Sequence, residues 1–170
     1  VPTEATTYTV IVTNTSTCTA IATVDVNVEG SPSITDPTAN DYIWTGGASI
    51  NWDNKYNWVT YDSENSKYVQ AANYPNATTH NVFVEQYGSG EGCIHNWTTA
   101  NQTISVNNVT LGENAAVNVS NDKTLSVSGN VTLGTDASLS ADGTVEFAGT
   151  AVQTISGEGT LIFNNVTFNN

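Results

Sequence analysis

Apolar and polar residues alternate along the first part of the chain. Tyr8, Val10 and Val12 share one side of an extended backbone, and a second alternating run at 20–28 follows the polar loop 14–17. Alternation with a period of two on both sides of a short polar loop predicts a β-hairpin with one buried face. Because two strands alone are only marginally stable in water, we expect this hairpin to join a larger sheet.

The last part of the chain repeats itself at an interval of about 22 residues. This shift predicts two columns of core residues, namely Leu111, Leu133 and Ile155 in one and Val117, Leu139 and Leu161 in the other. The same shift places Val119 over Ala141 and Phe163, and Leu125 over Phe147. Self-similarity at a fixed period, with several short strands per period, is typical of a β-solenoid whose coils bury their apolar faces only by stacking. The sequence therefore predicts an all-β chain with a right-handed parallel β-helix of about 22 residues per coil.

The register of this repeat leaves one alternative open. Thr103–Val106 matches Thr124–Val127 at a shift one shorter than the repeat interval, which requires a one-residue difference in a turn. Turns at the surface of a protein tolerate such differences. A β-sandwich is the alternative fold, and it explains the alternation of residues but not their repeat, so we favour the solenoid.

Changes in composition divide the chain into four parts. We predict that 1–29 holds the C-terminal strands of an immunoglobulin-like domain and that 30–40, which contains two prolines, is a linker. A tryptophan-rich N-terminal cap of the solenoid is predicted for 41–100, and solenoid coils, incomplete at the C-terminus, for 101–170. Since the alternation is under way at the first residue and continues to the last, we expect the chain to be a piece of a longer protein.

Three tryptophans, Trp44, Trp52 and Trp58, fall within fifteen residues. Flat aromatic rings could form a platform on which sugars stack. They could instead close one end of the solenoid core, because a stack of coils exposes its end and needs a cap. We favour the cap.

The charge of the chain restricts its partners. Three lysines, no arginine and sixteen acidic residues give a formal net charge of -13. Such a chain repels phosphate backbones and anionic lipid surfaces, so we expect no nucleic acid partner. No apolar run is long enough to span a bilayer, so we expect no direct membrane insertion.

Histidine and cysteine residues predict no catalytic or metal site. His80 and His95 are the only histidines, and Cys93 with His95 two residues later is too little for a zinc site. A disulfide between Cys18 and Cys93 would require an oxidising compartment. We favour a partner for Cys18 that lies upstream of this chain.

Acidic side chains are the remaining candidates for chemistry. Paired carboxylates hydrolyse glycosidic bonds, and the candidates before the coils are Asp53, Asp62, Glu64, Glu85 and Glu91. We predict no enzyme, because the chain has no arginine and only one of its lysines lies in the coils. No cofactor is expected, except that the oxygens of Asp62 and Glu64 are weak candidates for calcium ligands.

Asparagine and threonine are abundant enough to produce motifs by composition. Eight Asn-X-Ser/Thr sequons occur, at Asn14, Asn76, Asn96, Asn101, Asn108, Asn118, Asn130 and Asn165. The repeat interval also aligns Thr110, Thr132 and Thr154, which a flat face for ice or polysaccharide binding would use. An ordinary solvated strand surface explains these threonines equally well, and we favour it.

Several of these motifs resemble parts of known surface proteins. The segments Tyr8-Thr9-Val10-Ile11-Val12-Thr13 and Cys18-Thr19-Ala20, followed by alternating valines, resemble the last two strands of immunoglobulin-like repeats in large bacterial surface proteins. Trp44-Thr45-Gly46, Trp52 and Asn57-Trp58 resemble the motif that opens many parallel β-helix regions of secreted bacterial adhesins. Taken in order, the parts of the chain resemble modular cell-surface adhesins exported by the type IX secretion route.

The resemblance implies an extracellular, cell-surface protein with a structural and adhesive role as a stalk or adhesin segment. It implies surface polysaccharide or other copies of the chain as partners, and it transfers no catalytic residue. Two alternatives stay open. One is a subunit of an extracellular filament assembled by strand addition, and the other is a β-helix protein that binds or cleaves carbohydrate.

Overall fold

The computed structural model describes residues 6–13, 19–26, 34–85, 93–94 and 103–169. The chain divides into two compact units, Val1–Ser31 and Pro32–Asn170. The first unit contains β1 (Thr6–Thr13) and β2 (Thr19–Val26). The second contains β3 (Asp41–Trp44), a 3-10 turn η1 (Lys55–Asn57), β4 (Trp58–Asp62), β5 (Lys67–Gln70), β6 (Asn81–Val84), β7 (Cys93–Ile94), β8 (Thr103–Val106), β9 (Val109–Leu111), β10 (Ala116–Val119), β11 (Thr124–Val127), β12 (Val131–Leu133), β13 (Ser138–Phe147), β14 (Ile155–Gly157) and β15 (Thr160–Phe168).

The first unit is the hairpin that the alternating residues predict. β1 and β2 pair antiparallel along their whole length, with Thr6 opposite Val26 and Thr13 opposite Thr19. The assignment of this hairpin to an immunoglobulin-like domain stays a prediction.

Two sheets form the second unit. Sheet 1 has the strand order β14-β12-β9-β6-β3-β4-β5, and sheet 2 has the order β7-β10-β13-β11-β8 with β15 also paired to β13. All neighbours pair in parallel except β3 with β4 and β4 with β5, which are antiparallel. About three coils, 22 residues apart, lie between residues 103 and 168. The parallel ladders confirm the predicted solenoid and exclude the β-sandwich for this region, because the sheets of a sandwich are antiparallel.

Each coil contributes two strands, or one long strand in their place, to sheet 2 and one strand to sheet 1. The first half of β13 pairs with β10 and its second half pairs with β11, so a single long strand covers two short strands of the coil below. β15 covers β13 in the same way, with a break in register at Asp142 and Gly143. A Cβ atom at Gly143 would collide with the backbone carbonyl oxygens of Ser120 and Lys123, so only glycine allows the coils to approach this closely at the corner.

The second predicted column of the core is confirmed. Val117 pairs with Leu139 and Leu139 pairs with Leu161, as the repeat interval predicts. Val117 and Leu139 are buried, and Leu161 packs against the core from the last coil. Stacking therefore gives each of these side chains an apolar environment that its own coil cannot provide.

The first predicted column is correct only in part. Leu111 pairs with Leu133 as predicted, but the next residue above Leu133 is Gly157, and Ile155 lies over Val131 instead. The prediction for Ile155 was wrong because the connection between β13 and β14 is longer than that between β11 and β12. The longer connection shifts the register of β14 relative to a uniform repeat.

The pairing predicted between Leu125 and Phe147 was also wrong. Leu125 pairs with Val145, and Phe147 pairs with Val127. β10 and β11 are separate strands joined by a corner, whereas the residues of β13 that pair with them form one continuous strand. β13 therefore contains fewer residues than the segment on which it stacks, and paired residues of β11 and β13 are separated by less than the repeat interval. The shorter shift predicted between β8 and β11 is confirmed.

A ladder of asparagine side chains runs along the corner that precedes sheet 1. The side-chain nitrogen of Asn81 donates to Oδ1 of Asp41 at 2.8 Å, and Oδ1 of Asn81 accepts from the side-chain nitrogen of Asn108 at 2.9 Å. Further along, Oδ1 of Asn108 accepts from the backbone N–H of Asn130 at 2.7 Å, and Oδ1 of Asn130 accepts from that of Thr154 at 2.8 Å. Each coil is thus held to the next by a side chain at the same position of the corner.

Candidate functional site

The two ends of the solenoid are the candidate functional features of this chain. We call the end formed by β3, β4, β5 and residues 45–57 and 71–80 the closed end. We call the surface of β14 and β15 that faces away from β12 and β13 the open end. The two ends differ in the solvent exposure of their apolar side chains.

The three tryptophans lie buried in the core at the closed end. The ring of Trp58 has its centroid 5.1 Å from that of Trp44 and 5.1 Å from that of Trp52. The indole N–H of Trp58 donates to the carbonyl oxygen of Trp52 at 2.7 Å, and that of Trp52 donates to the carbonyl oxygen of Pro75 at 3.0 Å. Rings without solvent exposure cannot stack on a sugar, so the platform is ruled out and the burial is what a cap requires.

Asn57 organises the loop around these rings. Its side chain is buried, and its Oδ1 accepts from the backbone N–H groups of Ala48 and Ser49, both at 2.9 Å. Its side-chain nitrogen donates to Oγ of Ser49 at 3.0 Å and to the carbonyl oxygen of Asn51 at 2.8 Å. Sequence reasoning assigned no such role to Asn57, and its position directly before Trp58 is the only signal that the sequence offers.

Residues 71–80 cover the edge of β8, where sheet 2 would otherwise end in unpaired backbone groups. The backbone N–H of Ser105 donates to Oδ1 of Asn76 at 2.9 Å, and that of Asn107 donates to the carbonyl oxygen of His80 at 2.8 Å. Covering an edge strand with a loop is one way in which proteins prevent unwanted strand pairing. Residues 71–80 therefore protect the edge of β8, whereas β5 remains an edge strand of sheet 1.

The open end exposes side chains that lower coils bury. Ile155, Val166 and Phe168 are 43%, 44% and 70% exposed, whereas Val145 and Phe147 in the coil below are 0% and 3% exposed. Among the described residues, no strand pairs with the far edge of β14 or of β15. Sequence reasoning placed Ile155 inside the core, and the structure places it at this end instead.

Aromatic rings continue the core up to the open end. The ring of Phe168 stacks on that of Phe147, with centroids 5.4 Å apart and planes inclined by 14°. Phe163 meets Phe147 edge to face at 6.4 Å and packs against the core with Leu161. The side chains of the last coil are thus held in the columns of the coil below, with their upper sides uncovered.

Of the calcium candidates, Asp62 is the last residue of β4 and Glu64 lies in the turn between β4 and β5. Oδ1 of Asp62 accepts from the backbone N–H groups of Glu64 and Asn65 at 3.1 and 3.2 Å, and Oδ2 accepts from the side-chain nitrogen of Asn65 at 2.7 Å. These bonds, that to the Asn65 side chain first, lower the pKa of Asp62. In the part of the chain that the structure describes, no three His, Cys, Asp or Glu side chains gather into a group that could hold a metal. Calcium binding stays a prediction, and the observed role of Asp62 is to close the turn.

The other acidic candidates lie in separate loops. Asp53 precedes η1, and Glu85 follows β6 with its side chain beside Gly112. Glu91 and His95 lie outside the described residues, as does the side-chain pairing of Cys18 with Cys93. The expectation that the chain is not an enzyme stays a prediction.

His80 packs against Tyr42, with ring centroids 4.4 Å apart. Its Nδ1 accepts from the backbone N–H of Asn76 at 3.2 Å. Burial lowers the pKa of His80 below its ordinary value of 6.5. These contacts make His80 part of the segment that covers β8.

Two of the sequon asparagines have a structural role, and the predicted threonine column does not form. Asn108 and Asn130 belong to the asparagine ladder, so their side chains hold the corner together. Thr132 pairs with Thr110 as predicted, but on its other side it pairs with Ser156 and not with Thr154. The predicted three-threonine column was therefore wrong, for the same reason as the prediction for Ile155.

Comparisons with protein-family models, with curated proteins and with solved structures found no match. Over the described residues, none of the helical structure is long and apolar enough to cross a membrane. The function must therefore be inferred from the geometry of the chain itself.

Proposed function

We propose that the chain is a structural and adhesive stalk segment of an extracellular cell-surface protein. The observation that carries the proposal is the difference between the two ends of the solenoid. The closed end buries its tryptophans, and the open end presents apolar columns and, among the described residues, an unpaired strand edge. A stack of this kind adds coils in one direction, and each added coil lengthens it by the spacing between strands, about 4.8 Å.

The outer surface of sheet 2 supports this role. Thr103, Thr124 and Thr144 lie over one another on its outward face, and Asn118 donates to Oγ of Ser140 across adjacent strands at 3.0 Å. Such hydroxyl and amide groups keep a sheet solvated without attracting a partner by charge. They suit a spacer that contacts surface polysaccharide or other copies through many weak hydrogen bonds.

The acidic charge is consistent with a location outside the cell. A net charge of -13 keeps a protein soluble and prevents non-specific binding to anionic surfaces. The resemblance of the tryptophan-rich segment to the opening of adhesin β-helices supports the same proposal. Export by the type IX route is part of this proposal.

Electron microscopy and a polysaccharide panel test the stalk. We expect single particles, weak binding to some polysaccharides and no release of reducing sugar from any of them. Hydrolysis that is lost in Asp53→Asn or Glu85→Gln, but kept in the control Glu158→Gln, would overturn the stalk in favour of a carbohydrate-cleaving protein. Glu158 is a suitable control because it is an exposed acid between β14 and β15, separated by two coils from β6 and Glu85.

A filament subunit is the second candidate, and it is favoured by the edge of β15, with which no described strand pairs. Filaments would form if the edge of one copy were extended by a strand of the next. Micrographs of the same sample separate the two candidates, because filaments grow with protein concentration and single particles do not.

A further inference from the structure

We propose that the outward face of sheet 1, beside the closed end, binds a single chain of a neutral polysaccharide against Tyr61 and Tyr68. The proposal deepens the proposed adhesive role and rests on it, because it assigns polysaccharide binding to a particular surface. We call this surface the tyrosine face and define it by Ile43, Val59, Tyr61, Tyr68 and Phe83. It belongs to β3, β4, β5 and β6, and β9 and β12 separate it from the last strand of sheet 1. Four observations support the proposal.

The first observation is that the outward row of sheet 1 changes in character at the closed end. In the coils this row consists of Thr110 and Thr132, which pair with each other between buried neighbours that face the core. The same row continues through Phe83 to Ile43 and Val59, which are all apolar. Because a sheet that covers a core with one face is normally polar on the other, these apolar residues require a separate explanation.

The second observation is that the tyrosine face contains a packed apolar cluster of its own. Ile43 and Val59 lie opposite each other and are 1% and 8% exposed, although neither belongs to the core that contains the tryptophans. Tyr61 follows Val59 by two residues on the same strand, so it points to the same side of the sheet. Since the surface is already packed, it loses little conformational entropy when a ligand binds.

The third observation is the pair of tyrosine rings. Tyr61 and Tyr68 lie directly opposite each other on β4 and β5, and both are partly exposed. Their ring centroids are 5.3 Å apart, and the ring planes are inclined by 65°. Each ring offers an apolar body for the C–H groups of a sugar and a hydroxyl that can exchange hydrogen bonds with it. Rings inclined so steeply cannot both lie on one flat surface, so the pair suits a single chain and not the face of a crystalline polysaccharide.

The fourth observation is the charge beside these rings. Glu85 continues the outward side of β6 and is partly exposed, whereas Lys67 precedes Tyr68 and therefore points to the opposite side of β5. Burial first, followed by the charges of Asp41, Tyr61 and Glu85, raises the pKa of Tyr68, so its hydroxyl keeps its proton and stays a donor. Carboxylates accept hydrogen bonds from sugar hydroxyls and repel acidic polysaccharides, so the ligand is neutral.

A polysaccharide fits this face better than a protein partner does. Protein interfaces bury about 800 Å² on each partner, and patches of strongly exposed apolar side chains mark them. Within the described part of the chain, none of the strongly exposed large apolar residues lies in β3, β4, β5 or β6. Partly exposed rings with hydroxyl and carboxylate neighbours suit a narrow ligand that carries many hydroxyl groups.

Affinity electrophoresis of the full chain, in native gels that contain a soluble polysaccharide, tests the proposal. Hydroxyethyl cellulose, laminarin, mannan and xyloglucan serve as the neutral probes, and alginate serves as the anionic probe. We expect at least one neutral polysaccharide to retard the chain and alginate to leave its migration unchanged. Retardation by alginate as strong as that by the best neutral probe would overturn the choice of a neutral ligand.

Matched leucine variants locate the site. Tyr61→Leu and Tyr68→Leu keep an apolar side chain but remove the flat ring, and each should raise the dissociation constant by at least about tenfold. Tyr68→Phe keeps the ring without the hydroxyl and should raise the constant about threefold, as expected for one neutral hydrogen bond. The control Tyr56→Leu makes the same replacement at a 60% exposed tyrosine of η1, outside the tyrosine face, and should leave the constant within about twofold.

Circular dichroism of each variant establishes that its coils are folded. Should one leucine variant fail to fold, the other leucine variant and Tyr68→Phe carry the test. Unchanged binding in a folded leucine variant, or binding that is lost in Tyr56→Leu, would overturn the site.

The same measurements separate this proposal from the proposed stalk. Binding that persists when either tyrosine is replaced would place the adhesive surface elsewhere on the chain and leave the adhesive stalk intact. A chain that no neutral polysaccharide retards would end the proposal and leave a stalk with a structural role alone. Hydrolysis of any probe would remove the stalk whatever the variants show.

Discussion

At the scale of single residues, the amide of Asn57 holds the closed end together. It satisfies two backbone N–H groups, one hydroxyl and one carbonyl of the loop before Trp58, and it is fully buried. A buried amide that uses both its donors and its acceptor in this way fixes a loop that has little regular structure. The loop in turn encloses Trp52.

We predict that Asn57→Ala destabilises the protein by about 2–4 kcal/mol, because several buried polar groups lose their partner at once. Urea unfolding monitored by tryptophan fluorescence measures the change. The control Asn51→Ala lies in the same loop, and its backbone carbonyl, which accepts from Asn57, is retained. A loss of stability in Asn51→Ala as large as that in Asn57→Ala would show that the loop is sensitive to any change.

The pKa of His80 gives a pH dependence of stability. Because burial lowers this pKa in the folded protein below the ordinary 6.5, the unfolded chain binds a proton first as the pH falls. The contribution of His80 is therefore fully present above about pH 6.5 and is lost as the pH decreases below it. His80→Asn keeps an acceptor near the position of Nδ1 without titrating.

The measurement is the free energy of unfolding of both proteins between pH 7.5 and pH 5. We expect the wild type to lose more stability than His80→Asn over this interval, and the difference between them removes the effect of the carboxylates. Parallel curves for the two proteins would mean that His80 is equally accessible to protons when folded and unfolded.

The tryptophans and Asn57 show what sequence reasoning can find at this scale. Three large apolar rings in a short segment predict a buried cluster, because no other arrangement removes so much apolar surface from water. Asn57 is invisible to the same reasoning, since an asparagine in a polar loop is ordinary and its partners are set by how the loop folds back.

At the scale of strands and coils, the register decides which residues support the core. Leu133 lies between Leu111 and Gly157 and is buried, whereas Ile155 is 43% exposed at the open end. The two residues have almost the same volume and belong to neighbouring coils. Truncation of each side chain to alanine should nevertheless lower the free energy of unfolding by very different amounts.

We predict that Leu133→Ala destabilises the protein by about 2–5 kcal/mol and that Ile155→Ala costs under about 1 kcal/mol. The first variant leaves a cavity inside the stack, and the second removes a side chain that is already half in water. Urea midpoints of the two variants, measured with unchanged slopes, give the comparison. Equal losses would restore the uniform repeat register, in which Ile155 is a core residue.

The coils were predictable from the sequence, but their connections were only partly so. The column of Val117, Leu139 and Leu161 was predicted correctly because residues missing from one part of a coil are balanced by extra residues in another part of the same coil. Ile155 was misplaced because its coil has fewer residues at the corner inside β13 and more residues in the connection before β14, so the repeat interval does not apply at β14. Alignment of the sequence with itself at one fixed interval gives only the sum of such insertions and deletions, and it cannot show in which part of the coil they lie.

At the scale of the whole molecule, the chain consists of two units with different prospects of folding alone. Val1–Ser31 contains one hairpin, and Pro32–Asn170 contains the solenoid with both sheets and the core. A single hairpin is marginal in water, whereas stacked coils share one core.

We predict that removal of residues 1–31 leaves the thermal midpoint of the solenoid within about 3 °C of that of the full chain, because the stacked coils of the second unit share a core of their own. Thermal unfolding followed by circular dichroism measures both proteins. A midpoint lowered by more than about 8 °C, which corresponds to well over about 1 kcal/mol, would mean that the first unit supports the second.

Fold class was predictable at this scale and function was not. The repeat predicts a solenoid because each coil has an apolar face that only a neighbour can bury. The tryptophan-rich cap was predicted, but the contacts of residues 71–80 with the edge of β8 were not, since they depend on how this loop packs.

Cysteine trapping across adjacent coils tests the stacking register most directly. In a chain with Cys18 and Cys93 replaced by serine, Thr124→Cys with Thr144→Cys joins directly paired positions, about 4.8 Å apart. A uniform repeat would instead place Thr124 opposite Glu146, which in this structure lies about 8 Å away and beyond the reach of a disulfide. We expect rapid and complete bridging in Thr124→Cys with Thr144→Cys and none in Thr124→Cys with Glu146→Cys. Bridging of the second pair but not of the first would contradict the register of the stacked coils described here.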